Sequence, residues 1–203
     1  KIAAKSFLEN KHLFIKKPNL PDKETEIFLD FESSLGLNLE DYTGDIDYLI
    51  GVLIRKKNHE EFLPFIADSI EDEELMFMKF IDFIKKQKDF VIYHYGYFEV
   101  TRFNELFNKY EIDKKTRSDI IDNMVNIHNI CKECVIFPMT SYSLKSIAPY
   151  LGFKWRLEDL DAQKSLVLYM DYIKNDDKGA LQKILTYNED DLIATKIVKD
   201  FLA

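Results

Sequence analysis

The sequence predicts an α/β fold, a central mixed β-sheet with an antiparallel meander and then a parallel strand, flanked by α-helices. Three observations carry this. Apolar runs at strand spacing crowd into the first third of the chain. Segments with apolar residues at helical spacing fill most of the remainder. One more strand-like run, Phe90 to His94, stands between two helical segments. The composition of 46% hydrophobic residues suits a packed core, and 203 residues fit one domain.

Residues 1–24 are polar and Lys-rich, with Pro18 and Pro21 opposing regular structure, so they read as an N-terminal arm or linker before a domain over 25–203. Glu26 to Glu32 is the first strand, because Ile27, Phe28, Leu29 and Phe31 form a near-continuous apolar run. Residues 33–46 hold Gly36 and Gly44 and read as a loop. Tyr48 to Arg55 and Asn58 to Phe65 follow as strands around a Lys56-Lys57-Asn58 turn. From Asp68 to Lys88 apolar residues recur at helical spacing, with acids at the start and lysines at the end, as the helix dipole favours. After Phe90–His94, helices are expected over Phe98–Tyr110, Lys114–Glu133, Ser141–Gly152, Asp161–Lys174 and Lys178–Leu202. No strand is expected after the fourth.

The net charge of −8 and pI of about 5.1 argue against a protein that coats nucleic acid by charge alone. They are compatible with an acidic cluster neutralised by divalent metal. No apolar run approaches the roughly 20 residues of a membrane span, and the sequence shows no basic-then-apolar stretch to read as a secretion signal. A cytoplasmic location is expected. The chain opens on Lys1, which reads as an excised piece of a longer polypeptide. Cys131 and Cys134 form a lone C-x-x-C near a helix end and read as structural thiols, since a zinc site needs more ligands.

Three motifs carry candidate chemistry. In Asp30-Phe31-Glu32 the two acids share one face of a strand, where they repel unless a cation lies between them. Tyr187 and Asp191, early in the last helix, are four apart and share a helix face. Glu99 follows the fourth strand after the Gly96 bend, at the strand's carboxyl end, where sheet proteins place sites. His94 stands just before it.

These motifs, in this order, resemble the DEDD-type 3′–5′ exonucleases of the RNase H-like superfamily, in the subclass carrying tyrosine. Tyr93-His-Tyr, Ser141-Tyr-Ser-Leu-Lys145, Leu151-Gly-Phe and Tyr187-Asn-x-Asp-Asp191 are similar to the RNase H-like domain of predicted RecB-family nucleases. The resemblance spans roughly 25–203. It implies an RNase H-like fold and two divalent ions, Mg²⁺ or Mn²⁺, held by Asp30, Glu32, Glu99 and Asp191. Glu99 departs from the aspartate usual at its position. Tyr187 would orient the attacking water, and the substrate would be DNA or RNA. Lys145 is the first candidate for contact with substrate, with His94, Lys154 and Arg156 after it. Tyr93, Tyr95, Tyr97 and Trp155 are candidates for stacking bases. Asp190 competes with Asp191, and Asp122 is an outer candidate. The rival reading is a catalytically idle module that docks other domains of a nuclease or helicase.

Overall fold

The computed structural model describes residues 2–39, 42–57 and 59–203. A helix α1 (Ile2–Glu9) and a two-residue strand β1 (Leu13–Phe14) precede three long strands, β2 (Thr25–Asn38), β3 (Thr43–Lys56) and β4 (His59–Ile66). After helix α2 (Glu73–Lys85) come β5 (Phe90–His94), α3 (Phe98–Lys109), α4 (Lys114–Ile121), β6 (Met124–Asn126) and α5 (Ile127–Cys134). A short β7 (Val135–Ile136) leads to α6 (Leu144–Tyr150), α7 (Ala162–Asn175) and α8 (Lys178–Leu202). The main sheet has the order β4-β3-β2-β5-β6. Its β4-β3-β2 part is antiparallel, and β5 and β6 add in parallel. The expected mixed sheet with flanking helices is therefore present.

Strand alternation divides the core. Ile27, Leu29 and Phe31 of β2 pack with Ile50 and Val52 against Phe77, Phe80 and Phe103 on α2 and α3. Phe28 and Leu53 point the other way, toward Cys131 on α5, Ile147 on α6 and Leu192 on α8. In the first half of β3, Tyr48 stacks on Tyr169 of α7 at 4.4 Å.

Three expectations are corrected. First, most of residues 33–46 is strand, not loop, because β2 runs to Asn38 and β3 starts at Thr43. Register shifts after Glu32 and Ser34 absorb the extra residues, and Gly36 at φ +66° adopts the left-handed backbone a bulge exploits. Glycine marks a bulge here as readily as a loop. In the β3–β4 turn, Lys57 is left-handed at φ +52°, while Asn58, expected to open the third strand, lies outside the described residues.

Second, the single helix expected over Lys114–Glu133 is two helices with β6 between them. The Asn123 carbonyl accepts from the Ile92 backbone N–H (2.8 Å), and the Asn126 side chain caps α5 by accepting from the Asn129 N–H (3.3 Å). A three-residue edge strand is too short to leave its own periodicity. Third, the N-terminal stretch is structured. β1 pairs with β7, and His12 and Phe14 meet the Phe201 ring at 4.7 and 5.3 Å. The prolines keep the chain irregular only between β1 and β2.

Candidate active site: a half-buried carboxylate cluster

The alternation that buries Phe31 turns Asp30 and Glu32 to the opposite face, beneath α8. That helix begins at Lys178, so Tyr187 and Asp191 lie near its middle rather than early in it. The helix dipole therefore gives no account of an acid at 191. Carboxylate oxygens of Asp30, Glu32 and Asp191 all lie within 4.8 Å of one another.

Neutral donors hold these acids. Asn188 Nδ2 donates to Asp30 Oδ2 at 3.1 Å, and the Trp155 indole N–H donates to Asp191 Oδ1 at 2.7 Å. Ser165 and Asn188 favour the ionised form of Glu32, and the Tyr48 hydroxyl donates to Ser165 Oγ at 3.0 Å. Lys145 is the cation felt at Glu32 and Asp191, and its ammonium donates to the Tyr187 hydroxyl oxygen at 3.2 Å.

Crowding three acids where little water reaches them disfavours their charge. Burial, then repulsion from Asp191, pushes Glu32 up to about 8. Burial pushes Asp191 up to about 6 against the opposing pull of Trp155 and Lys145. Asp30 is raised well above the carboxylate range by burial and then by Asp191, Glu32 and Glu99. Burial likewise raises Tyr187, which keeps its proton at neutral pH. A donor set made of hard oxygens that repel one another fits a divalent cation such as Mg²⁺ or Mn²⁺.

The other candidates sort by position. Glu99 is buried in the first turn of α3, with Oε2 3.3 Å from His94 Nδ1. Its charge reaches Asp30, but among the described residues it stands outside the 4.8 Å set. His94 is 2% exposed, so its contact is with Glu99 and it offers almost no surface to a substrate. Asp190 turns away to Arg156, accepting from its backbone N–H and its Nε, both at 2.7 Å. Arg156 is further engaged by Glu189. Lys145 and Lys154 are exposed, and Asp122 is exposed at the end of α4, outside the cluster.

Of the aromatic candidates, Tyr93 is fully buried against Phe28 and so has no ring face to offer a base. Tyr95 is tied to the Tyr142 carbonyl, whereas Tyr97 is 65% exposed. Both cysteines are free and buried, and burial pushes the Cys131 thiol up to about 12.

Sequence reasoning overlooked Asn188, Ser165 and Gly51. Asn188 was visible as the residue three before Asp191, on the same helix face. Gly51 interrupts an otherwise bulky strand, a sign of close backbone approach. Ser165 left no signal.

A family model described as the RNase H superfamily matches residues 27–203. The chain belongs to that superfamily, and its five-stranded mixed sheet flanked by helices is the RNase H-like fold. No curated protein and no solved structure matches it. Membership points to nucleic acid as substrate and to hydrolysis as the reaction, with an acidic triad present that could hold metal. Among the described residues no helix is long and apolar enough to cross a membrane.

Proposed function

We propose that this chain is a metal-dependent nuclease that hydrolyses phosphodiester bonds at single-stranded ends, as a 3′–5′ exonuclease of the tyrosine-bearing DEDD type. The observation that carries this is the convergence of Asp30, Glu32 and Asp191 in a largely buried site where their hydrogen-bond partners are neutral donors. Asp30, Glu32 and Asp191 would hold two divalent ions, with Glu99 as a more distant fourth acid. Bound there, such ions would lower the pKa of water and stabilise the negative charge on the departing 3′ oxygen.

The chain's own groups complete the site. Tyr187 stays protonated and so acts as a hydrogen-bond donor that orients the attacking water, not as a base. Lys145, beside Tyr187, supplies positive charge for a substrate phosphate. Asn188, Ser165 and Trp155 keep the carboxylates in position before substrate arrives. Metal also reconciles a chain of net charge −8 with a polyanionic substrate.

The test is cleavage of 5′-labelled single-stranded DNA and RNA in Mn²⁺ by the wild type, Asp30→Ala and Asp191→Ala. Stepwise shortening from the 3′ end, lost in both variants, is expected. No cleavage of either substrate, together with no Mn²⁺ binding by calorimetry, would sink the proposal.

A further inference from the structure

An apolar cleft of about 320 Å³ lies between α6 and the segment that follows it, walled by Pro149, Phe153, Trp155, Leu157 and Leu160. From Leu151 to Leu157 exposure alternates residue by residue, so Phe153, Trp155 and Leu157 turn inward while Gly152, Lys154 and Arg156 face solvent. The Phe153 and Trp155 rings meet edge to face at 4.9 Å.

Two wall residues also belong to the carboxylate cluster. Trp155 donates its indole N–H to Asp191, and Lys145, at the cleft's edge, donates to Tyr187. The cleft thus adjoins the site, with Trp155 and Lys145 standing between the two. Lys145 and Lys154 make its rim basic in a chain that is acidic overall.

Resting on the nuclease reading, we infer that this cleft receives the unpaired base of the nucleotide whose phosphate lies at the carboxylates. Apolar and aromatic walls suit the face of a base, which stacks with little regard to sequence. Lysines at the rim suit the phosphates on either side of it. A base paired and stacked within a duplex would have to leave its helix to enter, so the cleft selects single-stranded ends. Glu158 also lines the cleft, and its carboxylate is a natural acceptor for a base's exocyclic amino group.

Trp155 is the chain's single tryptophan, so its fluorescence reports on this cleft without turnover. The full chain is titrated in Mg²⁺ with adenosine 5′-monophosphate and with ribose 5-phosphate, which lacks the base. The nucleotide is expected to quench Trp155 and to bind on the order of tenfold or more tightly than the sugar phosphate. Leu160→Glu is expected to remove that margin while the sugar phosphate binds as before, with thermal melting checking the fold. Should that variant melt early, Leu160→Ser makes the same comparison. Equal affinities, an unchanged Trp155 signal, or a margin that survives at Leu160 would overturn the inference. Cleavage that depends on Asp30 without any nucleotide margin would remove the base cleft and leave the hydrolytic reading standing. A margin without cleavage would do the reverse.

Discussion

Asp30 faces Gly51 across the β2–β3 ladder, and the missing side chain at 51 is what admits Asn188. A Cβ on Gly51 would lie 1.6 Å from Asn188 Oδ1. Asn188 is fully buried and spends its Nδ2 on Asp30, while its Oδ1 has no hydrogen-bond partner in the protein. Gly51→Ala should therefore push the amide off Asp30. Groups that orient metal ligands typically matter by roughly 10–100-fold in metal affinity. A loss of that order in Mn²⁺ affinity is expected by calorimetry. Trp155→Phe, which removes the indole N–H from Asp191, is expected to weaken Mn²⁺ comparably. Wild-type affinity in both variants would show that the carboxylates need no such support.

Elements are joined by a second polar cluster, away from the carboxylates. Arg102 on α3 donates to Asp47 on β3 through Nε at 2.9 Å and Nη2 at 2.8 Å, and Asp47 is fully buried. Glu73, at the start of α2, accepts the Asp47 backbone N–H at 2.7 Å. Burial raises the Asp47 carboxyl even though the Arg102 bonds pull it down, so the pair is costly to desolvate. Its two ends hold α2 and α3 against the sheet. Removing one partner of a buried pair leaves a charge uncompensated, at a cost of about 3–5 kcal/mol. Arg102→Met should lose stability of that order in urea denaturation. Adding Asp47→Leu should restore much of it, and a loss under about 1 kcal/mol would place the pair with ordinary surface bridges.

At the scale of the whole molecule, the carboxylate cluster sets the pH dependence of stability. Asp and Glu titrate near about 4 in an unfolded chain. In the fold Glu32 is raised to about 8 and Asp191 to about 6, with Asp30 raised in the same sense. Between those values the folded state binds more protons than the unfolded state. Stability from these groups is therefore complete below about pH 4 and is lost as pH rises through the folded values. A divalent cation relieves the repulsion that the lost protons leave behind. The metal-free chain should thus melt at a lower temperature at pH 8 than at pH 5, and Mg²⁺ should raise the melting temperature more at pH 8. Equal Mg²⁺ shifts at the two pH values, read by scanning calorimetry, would contradict the linkage.

What the sequence by itself determined is what local pattern encodes. Period-two and period-3.6 apolar spacing placed β5, α3, α7 and α8 close to their observed bounds, and the same-face rule paired Asp30 with Glu32. Contacts between distant segments leave no such trace. β6 is held by pairing with β5, the first strand pair lengthens through bulges, and the N-terminal stretch is ordered by the end of α8. The site divides the same way. Two of its carboxylates are a strand repeat apart and could be read directly. Only the crossing of α8 over Gly51 brings Asp191 and Asn188 to them, and only the segment after α6 brings Trp155. The chain's pattern supplied the acids; burial, which raises their proton affinity and makes a cation favourable, is a property of the packed whole.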